Sequence, residues 1–176
     1  MSRLFPAAGR RFAPWKNGGG ETAEILCHPA GAGFENFDWR ISTARVATSG
    51  PFSVFPGVDR SLTVIGGGAM RLRLGDGREV FLDPSSGPFA FSGDIGCEAE
   101  LVGPPLLDFN VMVRRPLAAR VTAARDHRPP DLPCLARYLF ALEPFPGAGR
   151  HDLLDISGDA TVPPYAGALV VEILRS

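Results

Sequence analysis

Pro14-Trp15-Lys16-Asn17-Gly18-Gly19-Gly20-Glu21-Thr22-Ala23-Glu24-Ile25 places an aromatic, a cation and an amide directly before three glycines, and then begins the first run with strand character. Glycines in series let the backbone reach positive φ and approach a neighbour closely, with no Cβ in the way. A loop that needed only flexibility would gain nothing from Trp15, whose large apolar surface is costly to leave in water. Two readings follow. In the first, the loop is a tight turn and Trp15 caps a core; residue types alone favour this one. In the second, the glycine hinge holds Lys16 and Asn17 at the mouth of a pocket.

Outward from this loop the chain reads as strand after strand, with almost nothing helical. Ala23–Leu26 is strand-like. Trp39–Val46 is a strand by its β-branched and aromatic content. Period-two geometry sets Trp39, Ile41 and Thr43 on one face, and Arg40, Ser42 and Ala44 on the other. Phe52–Phe55 and Arg60–Ile65 follow, divided by Pro56-Gly57, and Gly66-Gly67-Gly68 is expected to end the second of them. Met70–Leu74 and Glu79–Leu82 alternate around Asp76-Gly77, the signal of a type I′ hairpin with positive φ at both central residues. Arg71 and Arg73 then lie on a solvated face. Phe89–Phe91, Cys97–Val102 and Leu107–Arg114 are further strands. In the last, Leu107, Phe109, Val111 and Val113 oppose Asp108, Asn110, Met112 and Arg114. Past Pro116 the strand-compatible runs are Val121–Arg125, Tyr138–Leu142, Leu153–Ile156 and Ala168–Leu174. About a dozen short strands with turn signals between them imply an all-β sandwich or barrel.

Composition bounds the function. The chain has 176 residues, 45% of them hydrophobic, enough for a substantial core in one domain or in two small halves sharing one. Its 21 glycines and 17 prolines fall between apolar runs, as turn punctuation should. A formal net charge of −1 provides no field to hold a polyanion, which argues against nucleic acid. Cys27, Cys97 and Cys134 are odd in number, widely spaced and without CxxC, against a disulfide framework. Met1-Ser2-Arg3-Leu4-Phe5-Pro6 has no apolar h-region and no later run approaches a membrane span, so the expected location is cytoplasmic.

Chemistry is narrowed by elimination. His28, His127 and His151 are scattered, with no HxH or HxxxE cluster, so no metal site is expected. Ser42, Ser53 and Ser92 lack a nucleophile-elbow context. The glycine run precedes a strand, whereas phosphate loops open a helix. What remains are polar residues on strand faces: Arg40 with Ser42, Asp108 with Asn110, and Thr22 with Glu24. An unpaired buried charge is expensive, so inward polar residues need partners. Either an internal Arg40–Asp108 or Arg60–Asp59 ion pair stiffens the barrel, or these groups await a small polar ligand. Arginine geometry suits a carboxylate.

The Pro14–Ile25 phrase resembles the opening signature of the HutD/Ves family. Three later phrases resemble the same family: Trp39-Arg40-Ile41-Ser42, Gly50-Pro51-Phe52-Ser53-Val54-Phe55-Pro56-Gly57-Val58-Asp59-Arg60, and Asp108-Phe109-Asn110-Val111-Met112. Phe91-Ser92-Gly93-Asp94 fits the family's aromatic-x-Gly-Asp turn. The phrases keep the family's order over residues 14–114; beyond Pro116 only the general β pattern is similar.

The resemblance implies an all-β, cupin-like double-stranded β-barrel with little helix, of the bicupin, RmlC-like jelly-roll kind. It would be one compact domain over 1–176, with halves roughly 1–115 and 116–176 sharing strands. It also implies association with histidine utilisation, no established enzymatic activity, and a regulatory role through binding a pathway metabolite. Carried onto the matching motifs, the pocket candidates are Trp15, Lys16, Asn17, Glu24, Arg40, Ser42, Arg60, Asp108 and Asn110. The expected protein is a non-catalytic binder of a small anionic metabolite (formylglutamate, urocanate or glutamate), without cofactor, nucleic acid or membrane, and with a homodimer as the candidate assembly. The alternative is a metal-free isomerase or lyase in which Glu24 or Asp108 is general base and Lys16 or Arg40 stabilises charge. Elemental analysis of the purified protein should accordingly find far less than one zinc, iron or manganese per chain; a stoichiometric metal would overturn the expectation.

Overall fold

A computed structural model describes residues 3–176, so Met1 and Ser2, part of the stretch read for a leader, lie outside the described residues. Thirteen strands run in chain order: β1 (Arg3–Phe5), β2 (Ala13–Pro14), β3 (Gly20–His28), β4 (Trp39–Val46), β5 (Gly50–Phe52), β6 (Val58–Leu74), β7 (Glu79–Leu82), β8 (Phe89–Ser92), β9 (Cys97–Arg114), β10 (Leu117–Ala123), β11 (Cys134–Ala141), β12 (Leu153–Asp155) and β13 (Ala168–Arg175). The helix among the described residues is a single 3₁₀ turn, Ala124–Asp126. None is long and apolar enough to cross a membrane. The fold is all-β and cupin-like. The three cysteines are free thiols.

The chain divides into two compact units. In the unit of residues 11–115, an antiparallel sheet runs β2-β3-β4-β9-β6-β7, with β5 on β9 and β8 on β6. Its strands β6 and β9 are the longest, at 17 and 18 residues, and pair along most of their length. Both faces of β4 and of the second half of β9 are buried, and one apolar cluster gathers Val46, Leu62, Val64, Met70, Leu72, Leu74 and Leu106.

Gly66-Gly67-Gly68 does not end a strand, contrary to expectation. β6 passes through the triplet, with register shifts at Val64/Gly66 and Gly67/Ala69 against β9. The reason is close approach. A Cβ on Gly68 would sit 2.1 Å from the Pro104 carbonyl oxygen, and one on Gly67, at φ +78°, 2.3 Å from that of Pro105. The glycines let the bulged ladder accept a partner segment whose prolines cannot donate to it. The Asp76-Gly77 hairpin also differs in detail. Only Gly77 has positive φ, at +92°, within a loop closed by Leu74 N–H on the Arg78 carbonyl at 2.8 Å. A longer loop needs one left-handed residue where a two-residue type I′ turn needs two. Arg71 and Arg73 do lie at the surface, in a network with Glu79 and Glu100.

The second unit takes the described residues up to Arg10 together with Pro116–Ser176. Its sheet runs β1-β12-β11-β13-β10, all antiparallel. Ala124, Leu139, Ile156, Ala168 and Val170 form one core cluster with Phe145 and Tyr165, whose rings stack at 4.4 Å. Beside that core Glu172 is 0% exposed. Arg120 Nε donates to one carboxylate oxygen at 2.8 Å, and Arg137 Nε and His127 Nε2 meet the other at 3.0 Å each.

Burial alone would raise the Glu172 carboxyl's pKa, but hydrogen bonds from His127, Arg120 and Arg137 outweigh it and hold it below the ordinary value. A carboxylate depressed on folding stabilises the native state above its unfolded pKa of about 4.3, and that stability disappears as pH falls through the folded pKa. Glu172→Gln should cost about 3–5 kcal/mol at pH 7, since it strands two arginines around an amide. The melting midpoint of the variant should also lose part of the wild-type decline below about pH 4. Parallel midpoints from pH 3 to 8 check both points.

Candidate functional site

Alternation along three neighbouring strands builds one polar floor. Arg40 and Arg60 stand on β4 and β6 opposite Met112 of β9; Ser42 and Leu62 flank Asn110; Ala44 and Val64 flank Asp108. These side chains share one face of the sheet, and toward one end the same face continues into core residues Val46, Leu62, Val64 and Leu106. Above the polar part lies a cavity of about 550 Å³.

The β2–β3 loop forms part of the rim. Trp15 N–H donates to the Gly20 carbonyl at 2.8 Å, Gly18 N–H to the Trp15 carbonyl at 3.0 Å, and Gly19 N–H to Asn17 Oδ1 at 2.9 Å. Gly18 supplies the positive φ of +71°, and a Cβ on Gly20 would lie 2.3 Å from the Arg45 carbonyl oxygen. The Trp15 indole N–H donates to Thr22 Oγ1 at 2.7 Å, and its ring meets Phe52 edge-on at 6.1 Å. Trp15 thus packs against the core and lines the cavity, so the two readings of this loop coexist. Lys16 and Asn17 line the cavity beside it.

Arg60 is the deepest cation. It is buried, with its guanidinium carbon 5.8, 5.5 and 5.1 Å from the ring centroids of Phe52, Phe55 and Phe91. It donates to Asn110 Oδ1 at 3.1 Å and, at 3.4 Å, to the Ser53 carbonyl, while its buried Nε has no hydrogen-bond partner. Burial lowers its pKa from the ordinary value. Asn110 Nδ2 in turn donates to Asp108 Oδ1 at 2.8 Å. Asp108 is 1% exposed, and burial pushes its carboxyl up to about 7, against the hydrogen bond from Asn110 and the charge of Arg60.

Arg40 has a different environment. Its Nε donates to Glu24 Oε2 at 3.0 Å, and its guanidinium lies 4.4 Å over the Phe34 ring. Glu24 is the one candidate that does not line the cavity; its side chain is 45% exposed at the edge. The internal pairs expected as the alternative to a pocket do not form among the described residues. Arg40 pairs with Glu24, and Asp59 pairs with Arg115. Phe34, Phe52, Phe55 and Met112 line the cavity without having been singled out. Met112 was legible, since it alternates with Asp108 and Asn110. Phe34 comes from the irregular loop between β3 and β4, where no periodicity marks a direction.

The floor contributes one carboxyl, two guanidiniums, an amide and a hydroxyl. Among the described residues no three of His, Cys, Asp and Glu converge, so the donor set does not fit a metal. It fits an anion with hydrogen-bonding groups.

Fold and cavity define a cupin-like β protein. Residues 7–141 match the HutD family, and the chain belongs to that family. It is 44% identical over 102 residues to protein Ves of Cronobacter sakazakii, covering 57% of this chain and 54% of that one. It is also 43% identical over 99 residues to an uncharacterised 21.2 kDa protein in the hutC 3′ region of Pseudomonas putida, covering 56% and 51%. The chain thus spans about half the length of the curated relatives it matches. HutD from Pseudomonas fluorescens SBW25, solved in a formate condition, superposes with a TM-score of 0.76 at 28% identity over 100% of both chains. KdgF from a Halomonas species shares the fold, with a TM-score of 0.50 at 16% identity over 64% of this chain and 94% of that one.

The raised Asp108 pKa has a definite sign. Between about 3.8 and 7 the folded protein holds a proton that the unfolded chain has released, so this group makes stability fall as pH rises through that window. The slope is about 1.4 kcal/mol per pH unit for one fully coupled proton. Asp108→Asn, which keeps the oxygen facing Asn110, should flatten that slope and be more stable than wild type at pH 8. Midpoints between pH 4 and 8 measure it; an unchanged slope would refute the assignment.

Proposed function

We propose that this protein is a non-catalytic binder of a small carboxylate metabolite of histidine degradation, held in the 11–115 cavity and serving a regulatory role in the cytoplasm. One observation carries the reading: the Arg60 guanidinium is buried in the cavity wall, and among the described residues no carboxylate lies within ion-pair distance of it. Asp108, with a pKa near 7, is a weak counter-charge. A buried cation so placed is costly, and a ligand carboxylate would offset that cost with charge-assisted hydrogen bonds. The aromatic walls suit the carbon frame of such a ligand, and Ser42 and Asn110 suit its other polar atoms. The relative in the hutC 3′ region supports the metabolic setting, and formylglutamate, urocanate and glutamate, the compounds the family resemblance implies, are the ones to test.

A second reading is favoured by Asp108 itself. A buried carboxyl titrating near neutrality beside an arginine has the attributes of a general base in a metal-free isomerase or lyase.

Thermal denaturation tests for binding, and incubation with the bound compound followed by product analysis separates the two readings. A ligand at about 100 times its dissociation constant adds roughly 2.7 kcal/mol, a rise of several degrees in the midpoint. Arg60→Gln should weaken binding more than tenfold, because losing the charged partner of a buried carboxylate costs about 2–5 kcal/mol. If none of the three compounds raises the wild-type midpoint at millimolar concentration, the metabolite reading is wrong. If one raises it and is converted on incubation, the protein is an enzyme and Asp108 the residue to replace.

A further inference from the structure

Both units contain the same three-strand row. In the second unit, Glu172 on β13 is flanked in register by Arg120 on β10 and Arg137 on β11. Each arginine gives its Nε to a different oxygen of the Glu172 carboxylate, at 2.8 and 3.0 Å. In the 11–115 unit, Met112 on β9 is flanked in register by Arg40 on β4 and Arg60 on β6. Two arginines again face each other across a central strand, but the residue between them has no charge.

From this correspondence we infer that the Arg40–Met112–Arg60 row is a carboxylate site, in which a ligand carboxylate lies over Met112 and bridges the two guanidiniums as the Glu172 side chain bridges Arg120 and Arg137. The inference rests on the reading that the cavity takes a carboxylate, and adds where that group sits. Directly opposed strand positions are about 5 Å apart, so the flanking arginines are set about 10 Å apart at Cα and converge on the centre. Arginine is long enough to close that distance, and its planar fork matches a carboxylate from either side. Arg60 is the fixed partner, buried and held by Asn110. Arg40 is the exchangeable one. Its ion pair with Glu24 involves a carboxylate that is 45% exposed, a weak competitor for a ligand group in the cavity. With the carboxylate over Met112, the rest of the ligand extends along β9 toward Asn110 and Asp108, which line the same cavity. The ligand class is therefore a short acid with a hydrogen-bonding group a few bonds from its carboxylate.

Methionine NMR provides the test, because Met112, although only 3% exposed and packed against Phe37 and Val58, lines the cavity, whereas Met70 lies in a separate apolar cluster away from it. The probe is sodium acetate, against sodium chloride at equal ionic strength, on protein with ¹³C-labelled methionine methyls. The Met112 methyl signal should move saturably with acetate and not with chloride, while Met70 stays in place. Independently, Met112→Glu places the carboxylate on the protein itself. Its midpoint should lie several degrees above that of Met112→Gln at pH 7, and should no longer respond to acetate. A Met112 signal that stays put under acetate, or a Glu variant less stable than the Gln variant, overturns the placement. If Met112 ignores acetate while formylglutamate, urocanate or glutamate still raises the midpoint, the functional reading survives and this row is not its anchor. If acetate moves Met112 but none of the three compounds raises the midpoint, the row is a carboxylate site and the metabolite reading fails. The methyl measurement uses wild-type protein and decides the matter even if neither variant folds.

Discussion

Pairing of β9 with β4 on one side and β6 on the other is the constraint from which the rest of the 11–115 unit follows. A central strand with two neighbours has its side chains directed by the pleat, and a one-residue slip would exchange its faces. In β9 that exchange would put Asp108 and Asn110 where Phe109 and Val111 are now fully buried. The alternation therefore fixes the register, and the register assembles the cavity floor, because Arg40, Ser42, Arg60 and Leu62 are set opposite residues of β9. The site is a by-product of sheet pairing that no single strand contains.

Three of the buried charges among the described residues are handled differently. Glu172 is saturated by two arginines and a histidine. Asp108 is pushed toward its neutral form by burial, against donors from the Asn110 amide and the Ala44 backbone N–H. Arg60 is surrounded by three rings, a backbone carbonyl and an amide oxygen, none of which carries a full charge. The first arrangement is internally complete, and the last is not. That difference in electrostatic completeness, rather than any difference in residue type, separates a structural network from a candidate site.

Glycine serves two distinct purposes here. In the β2–β3 loop Gly18 supplies a left-handed turn residue, and Gly20 permits contact with the backbone of β4. In β6 the second triplet accepts two proline carbonyls of β9 at distances no side chain could tolerate. The same three letters thus mark a turn at one place and a bulged ladder at the other, and the difference lies in what the partner strand presents.

Much of this was legible from the amino acids alone. Period-two alternation assigned Arg40 and Ser42 to one face of β4, and Asp108, Asn110 and Met112 to one face of β9, because a pleated strand leaves side chains no other choice. Turn residues located most strand ends. Hidden from the sequence was every relation across strands. That Arg40 pairs with Glu24, that Arg60 instead of Arg40 is the deeply buried cation, and that Gly66–Gly68 continues a strand all depend on residues 16 to 50 positions away or on a facing backbone. Phe34 reaches the cavity from a loop with no period to read. Local sequence determines which way a side chain points, since that is set by backbone geometry within a few residues; only the tertiary structure decides what it meets there, because burial and counter-charge are properties of the neighbours the fold brings to it.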